Sequence, residues 1–183
     1  MAIVGWGSVT PLGADANTTW EAIQAGQCGI AALTEPWSAD LPVQIGGCVA
    51  PSATASLPPL LLRRADRCAQ LGLLAAREAW AMASTAAAGL DPQRIAVVLG
   101  TGIGGLGTMH EQHTQLTSGG PTRVNPLTVP MLIPDAAAGQ VAIDLGLQGG
   151  AHTPVSACAS GAEAMMVAPM LLNADRAALG LAR

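Results

Sequence analysis

The sequence contains no phenylalanine and no tyrosine, and only 11% of its 183 residues are charged. Half of the residues are nonetheless hydrophobic, which gives enough apolar surface for a core and excludes a disordered chain. The formal net charge is -4, and the arginines at 63, 64 and 67 have the spacing of one helix face. This charge pattern argues against nucleic-acid binding. Such low charge also predicts that part of the surface is covered by more protein.

The sequence also lacks the patterns of targeting, membrane and zinc-binding segments. Residues 1–7, MAIVGWG, have neither the positive region nor the long apolar run of a signal peptide. No apolar run reaches the roughly 18 residues that a membrane helix needs. The cysteines at 28, 48, 68 and 158 fit no zinc spacing. We therefore expect reduced thiols, no metal, no membrane contact and a cytoplasmic location.

Strand-like and helix-like segments alternate along the chain, which predicts an α/β fold with a largely parallel sheet. The predicted strands are AIVGWGS near the N-terminus, IAVVLG at 95–100 and TPVSA at 153–157. The predicted helices begin near Asn17, Leu60, the run before His110, Asp135 and Cys158. The first should end at Gly26, and the second should run unbroken to about Ser84.

Gly100, Gly102 and Gly105 satisfy the pattern G-x-G-x-x-G directly after a predicted strand. A dinucleotide site would need an acidic residue about 20 positions further on, and residues 119–128 contain none. The pattern therefore indicates a strand-to-helix turn that needs close backbone approach.

The three histidines give no strong indication of a site. His110, Glu111 and His113 lack the i, i+4 histidine spacing of a zinc-binding helix, which favours a solvated helix face. His152 precedes Cys158 by a strand of about 20 Å in extended length, so it is a poor candidate for a local base.

Cys158 has the local pattern of a nucleophile. A strand, a tight turn, a cysteine and a helix follow one another, an arrangement that lifts a side chain out of a sheet. A helix start favours the thiolate, and the small residues around Cys158 leave room for an acyl group. The alternative is a small buried cysteine in an alanine-rich core, and local pattern alone leaves both interpretations open.

Longer stretches resemble the β-ketoacyl-acyl carrier protein (ACP) synthases of the thiolase-like superfamily. VSACASGAEA resembles their active-site segment, and IVGWGSVTPLGADANTTWEAIQAGQCGI resembles their N-terminal strand and first helix. RRADRCAQLGLLAAREAW, IAVVLGTGIGG and VNPLTVPMLIPDAAAGQVAIDLGLQG match the segments between. The resemblance covers residues 2–164 in order and is nearest to chain-elongating bacterial or type II polyketide synthases. It implies a thiolase-like α/β fold, with residues 1–183 as the N-terminal half and an incomplete five-stranded, mainly parallel sheet.

The resemblance implies an activity and a site. Cys158 would accept an acyl chain from ACP as a thioester, and malonyl-ACP would lose CO2 and attack it. The Cys158 N–H would stabilise the oxyanion, and Gly102, Ile103 and Gly104 would line the acyl channel. No cofactor is implied, and the full-length parent would be a homodimer. Cysteine rather than glutamine at 158 argues against a chain-length-factor subunit.

Two departures from the family leave a second hypothesis open. The family's two catalytic histidines, its lysine and its second oxyanion donor lie in a second half, and none of the three histidines here matches them. Pro169 and the ending AALGLAR stand where the family continues a helix and a buried strand. We expect a truncated, frameshifted or partial chain. It is then either part of a condensing enzyme or an inactive fragment that pairs with a ketosynthase; a thiolase-like enzyme using coenzyme A thioesters is a third alternative.

Overall fold

Five short strands and seven α-helices form within residues 2–182, which the computed structural model describes. The strands are β1 Ala31–Ala32, β2 Ile45–Gly46, β3 Ile95–Val98, β4 Ala151–His152 and β5 Leu179–Ala182. The helices are α1 Ala16–Gln24, α2 Pro59–Arg64, α3 Arg67–Ala87, α4 Leu106–Gly119, α5 Thr128–Leu132, α6 Ala136–Leu145 and α7 Ser160–Asn173.

The core is a parallel sheet of three strands, in the order β4-β3-β5, between two layers of helices. Ile95, Val97 and Leu99 of the central segment pack in one cluster with α3 and α6. Val98 points the other way and packs against Ala164 and Ala168 of α7. Every residue of β3 is buried, which confirms the prediction of an unbroken apolar strand covered on both faces. β1 and β2 form a separate antiparallel pair.

The predicted N-terminal strand and the five-stranded sheet are wrong, because residues 2–8 pair with no strand. This segment instead runs along α3 at very short range. A Cβ added at Gly5 would lie 2.3 Å from the Ala79 carbonyl oxygen, and one at Gly7 would lie 2.2 Å from that of Ala75. The second edge of β3 is occupied by β5. A groove of about 280 Å³ lies between residues 2–7, α3, α7 and β5.

Glu78 holds the N-terminal segment on α3. Its carboxylate accepts hydrogen bonds from the Ser8 N–H at 2.9 Å and from the Ala16 N–H at 2.9 Å, the first residue of α1. One side chain on α3 thus fixes both ends of the intervening turn.

We expect Glu78→Gln to lower the free energy of unfolding by about 1.5 kcal/mol, because a neutral amide can accept from only one of the two N–H groups well. Urea denaturation monitored by circular dichroism measures this change. Glu21→Gln, on the exposed surface of α1, is the matched control and should leave the midpoint unchanged. Equal urea midpoints for both variants would show that the two hydrogen bonds to Glu78 do not contribute to stability.

The helix predicted from Leu60 to about Ser84 is two helices. α2 ends at Arg64, and α3 begins at Arg67. The intervening Asp66 caps α3, since its side chain accepts from the Cys68 N–H. Helix α1 is likewise capped by Asp15 rather than Asn17.

Helix α7 runs through Pro169, which the sequence identified as a departure from the family pattern. Proline removes one backbone hydrogen bond, a cost of about 3 kcal/mol that packing can offset. Ala164 and Ala168 are buried against β3, and the chain after the helix returns as β5. The ending therefore forms a full strand, contrary to the expectation drawn from AALGLAR.

Candidate functional site

The glycine-rich loop and the cysteine segment lie side by side at one edge of the sheet. Strands β3 and β4 are parallel neighbours, so the segments after their carboxyl ends emerge together. The ladder continues past the strands, since the Leu99 N–H donates to the His152 carbonyl at 3.0 Å and the Thr101 N–H to that of Pro154 at 3.2 Å. We call residues 100–105 the glycine loop and residues 153–160 the elbow.

The elbow has strained backbone immediately before Cys158. Ala157 has φ +50°, in the left-handed region that residues other than glycine seldom adopt. Such a conformation costs about 1–3 kcal/mol and persists where surrounding contacts enforce it. Cys158 occupies the middle of a 3-10 turn, Ala157–Ala159, and is exposed at the start of α7. The order of strand, turn, cysteine and helix is as predicted, but the strand is β4 at Ala151–His152 rather than at 153–157, and the α-helix begins at Ser160.

Ser160 is the contact that enforces this backbone. Its side chain is buried, and its hydroxyl accepts a hydrogen bond from the Ser156 N–H at 2.9 Å. The single proton of this hydroxyl is shared between two acceptors, the Ala157 carbonyl at 2.8 Å and the Thr101 carbonyl at 3.0 Å. The Ser156 hydroxyl in turn donates to the Glu163 carboxylate. One serine therefore ties the elbow to the glycine loop.

At Gly100 the glycine loop packs against the elbow at a distance that only glycine permits. A Cβ added at Gly100 would lie 2.1 Å from the Ser160 carbonyl oxygen. Gly102 lies beside Ala157, with an added Cβ 3.6 Å from the Ala157 carbonyl oxygen. Gly104 has φ +94°, and a Cβ there would lie 2.8 Å from the Leu132 carbonyl oxygen. Close backbone approach is thus confirmed at Gly100 and at Gly105, where an added Cβ would lie 2.4 Å from the Met131 carbonyl oxygen. It is not confirmed at Gly102, where a Cβ would make an ordinary contact.

The loop residues predicted to line an acyl channel have distinct surroundings. Gly102 is next to the elbow and Gly104 is next to the segment after α5. Ile103, between them, exposes 62% of its surface. The structure thus brings Gly102 together with the Cys158 segment and leaves Ile103 free at the loop tip.

Asp66, Thr108 and Ser160 were not singled out from the sequence, and all three are buried polar residues near these segments. The Asp66 carboxylate accepts from the Cys68 N–H at 3.0 Å, the Thr108 N–H at 2.8 Å and the Thr108 hydroxyl at 2.7 Å. Burial by itself raises the pKa of Asp66, but these hydrogen bonds outweigh burial and hold the pKa below its ordinary value. An aspartate before a helical run is a sequence indication of a cap, although its partner on α4 is not visible in sequence.

The four cysteines differ in environment. Cys28, Cys48 and Cys158 are exposed, whereas Cys68 is partly buried at the start of α3. Burial, and then the neighbouring Asp66 carboxylate, raise the pKa of the Cys68 thiol to about 11.

We expect Cys68 to resist iodoacetamide at pH 7.5, because only the thiolate reacts and roughly one Cys68 in 3,000 is ionised at that pH. Its alkylation rate should rise steadily as the pH approaches 11. Peptide mapping by mass spectrometry measures all four sites in one sample, with Cys28 as the exposed control. Rapid labelling of Cys68 at pH 7.5 would contradict its assigned environment.

The structure shows no candidate metal centre within residues 2–182. No group of three or more His, Cys, Asp or Glu side chains in this range could hold a metal ion. His110 and His113 lie on the exposed face of α4, and His152 lies in β4. In the same range, no helix combines the length and apolar character needed to cross a bilayer.

Solved structures with this fold are ketosynthases of the thiolase-like class. A β-ketoacyl synthase from Burkholderia phymatum matches with a TM-score of 0.82 and 26% identity, covering 98% of this chain and 45% of that one. A ketosynthase solved in complex with its type II polyketide acyl carrier protein matches in fold, with a TM-score of 0.74 and 18% identity. That match covers 99% of this chain and 48% of the other.

The chain belongs to the β-ketoacyl synthase family, whose N-terminal domain profile matches residues 1–182. It is 41% identical over 165 residues to 3-oxoacyl-[acyl-carrier-protein] synthase 2 of Staphylococcus aureus. That alignment covers 88% of this chain and 39% of the relative, so the chain spans about two fifths of the relative's length. The family and the thiolase-like α/β fold expected from the sequence are confirmed.

Proposed function

We propose that this chain provides the acyl-carrying part of a β-ketoacyl-ACP synthase, with Cys158 as the nucleophile. The observation that carries the proposal is the elbow: an exposed cysteine follows a left-handed alanine at the start of α7, against a glycine loop. Free cysteines in cores are among the most buried residues, whereas strained backbone clusters at functional sites. The relative's name supports ACP as the acyl carrier.

In the proposed first step, the Cys158 thiolate attacks the carbonyl carbon of an acyl-ACP thioester. A new C–S bond forms, the bond to the ACP thiol breaks, and that thiol takes up a proton. The Cys158 N–H, at the beginning of the turn into α7, donates to the oxyanion that forms in between. Gly102, Ile103 and Gly104 line the path of the acyl chain.

In the proposed second step, malonyl-ACP loses CO2, and the resulting carbanion attacks the Cys158 thioester. The product is a β-ketoacyl-ACP two carbons longer, and the Cys158 thiolate is released. The histidines that assist this step in the family have no counterpart among His110, His113 and His152. We therefore propose that residues 1–183 form the N-terminal domain, and that polypeptide beyond them provides the decarboxylation groups. The parent would act as a cytoplasmic homodimer.

Incubation of the purified chain with acyl-ACP and malonyl-ACP tests the proposal. We expect an acyl mass increment on Cys158 without elongation, because the groups that activate malonyl-ACP are missing. A β-ketoacyl-ACP product that disappears in Cys158→Ala would show that the chain is a complete condensing unit. Absence of acylation at Cys158 would favour the alternative of an inactive chain that pairs with a ketosynthase. Acylation from acyl-coenzyme A but not from acyl-ACP would favour the third alternative.

A further inference from the structure

Asp66 is the only buried ionisable side chain within residues 2–182, and no cation neutralises it. The adjacent Arg67 points elsewhere and donates to the Ala50 carbonyl and the Thr54 hydroxyl. A buried carboxylate is costly unless its oxygens are well hydrogen-bonded. Asp66 meets this requirement with donors from Cys68 and Thr108, which belong to two different helices.

The two oxygens of Asp66 have separate partners. Oδ1 accepts from the Cys68 N–H and caps α3, whereas Oδ2 accepts from the N–H and hydroxyl of Thr108 in the first turn of α4. Helix α4 has no side-chain cap of its own, because its N-cap residue is Gly105. A distant residue therefore provides the acceptor and the negative charge that a helix start favours.

This contact fixes the second end of the glycine loop. A Cβ added at Gly105 would lie 3.1 Å from the Asp66 Cβ, so the last loop residue packs directly on Asp66. The first end of the loop is held at Gly100 and Thr101 by Ser160 of the elbow. Ile103 lies between these two anchors. Its position relative to Cys158 is thus set by Ser160 at one end of the loop. At the other end it is set by Asp66 together with the Leu132 carbonyl, which accepts from the Gly105 N–H at 3.0 Å.

We propose that Asp66 is a positioning residue for the acyl site: by joining the starts of α3 and α4, it sets where the glycine loop places Ile103 relative to Cys158. This inference rests on the proposed function insofar as the loop lines an acyl path. The inferred fixing of the loop by Asp66 is independent of acyl transfer. Thr108 is the partner through which Asp66 acts.

Asp66→Asn separates the two roles of the side chain. The amide oxygen still caps α3 through the Cys68 N–H, while the NH₂ group faces the Thr108 N–H and leaves it without an acceptor. Asp15→Asn is the matched control, because Asp15 caps α1 in the same way through the Thr18 N–H and touches no residue of the loop. Thr108→Val is the second variant, since it removes one hydrogen bond and retains the carboxylate.

Two measurements on the full chain decide the inference. Hydrogen–deuterium exchange of the peptide at 100–108 should accelerate about tenfold in Asp66→Asn and remain at the wild-type rate in Asp15→Asn. The second measurement is the rate of Cys158 alkylation by N-octylmaleimide divided by the rate with N-ethylmaleimide. In Asp66→Asn this ratio should shift from the wild-type value toward the value measured for Ile103→Ala. Cys28 provides the internal reference for both reagents.

A wild-type rate of hydrogen–deuterium exchange in Asp66→Asn would overturn the inference. Faster exchange together with a wild-type alkylation ratio would also overturn it, because Asp66 would then be a structural cap alone. If Asp66→Asn does not fold, Thr108→Val decides by the same two readouts, with smaller shifts in the same direction expected. Neither readout needs acyl transfer. A chain that ACP cannot acylate but whose loop and ratio respond to Asp66 would therefore disprove the proposed function alone.

Discussion

Cys158→Ala is expected to reduce covalent acyl loading from acyl-ACP to the level of a reaction without protein. Acyl transfer requires a sulfur nucleophile, and alanine leaves the elbow without any reacting atom. Intact-mass spectrometry of the chain after incubation with acyl-ACP measures the loss, and hydroxylamine release confirms a thioester. This is the largest effect expected of any single substitution in the chain.

The chain contains its own controls for Cys158. Cys28 and Cys48 are also exposed thiols, but neither lies at the elbow or against the glycine loop. Cys28→Ala and Cys48→Ala should therefore load the acyl group as the wild type does. If the label persists in Cys158→Ala and maps to Cys28 or Cys48, exposure rather than the elbow governs loading, and the proposed nucleophile is wrong.

Gly100→Ala is expected to destabilise the chain by about 3 kcal/mol, which is the upper range for overpacking. The added Cβ would meet the Ser160 carbonyl oxygen at 2.1 Å. The Cβ is fixed to the backbone and the oxygen belongs to it, so no side-chain rotation relieves the clash. Relief requires separation of the glycine loop from the elbow. Acyl loading of Cys158 should therefore fall together with the urea midpoint.

Gly139→Ala is the matched control, with an expected effect of opposite sign. Gly139 lies inside α6, and a Cβ there would meet no atom within 4 Å. Because alanine is favoured over glycine in a helix, this variant should gain about 1 kcal/mol and retain normal loading. Similar losses in both variants would show that the loop–elbow contact is not as tight as the structure indicates.

The helices and strands predicted correctly from sequence are those whose local residue pattern is compatible with only one type of element. Strand β3 is apolar throughout, as suits a strand with both faces covered. Helix α4 follows the glycine loop, and α7 follows the elbow that contains Cys158. The N-terminal strand was predicted wrongly because AIVGWGS has the composition of a strand. Both edges of β3 are occupied by β4 and β5, an arrangement that local composition does not encode.

Those parts of the site that depend on residues adjacent in sequence could be predicted. Those that depend on contacts between residues distant in sequence could not. The order of strand, turn, Cys158 and helix identified the elbow. Alanine at 157 gives no indication of a left-handed conformation, because the hydroxyl of Ser160 and the contact with Gly100 impose it. The bond from Thr108 to Asp66 joins residues far apart in sequence, so a single sequence shows only a helix cap.

The order of the sheet has a consequence for how the chain folds. Val97 pairs with Ala151, and Ile95 pairs with Leu179, so both neighbours of the most buried strand are synthesised after it. Pairings this distant in sequence close large loops and slow the search for the native state. During translation, β3 therefore remains without its strand partners until residues 151–182 have emerged, and chaperones can bind it in that interval.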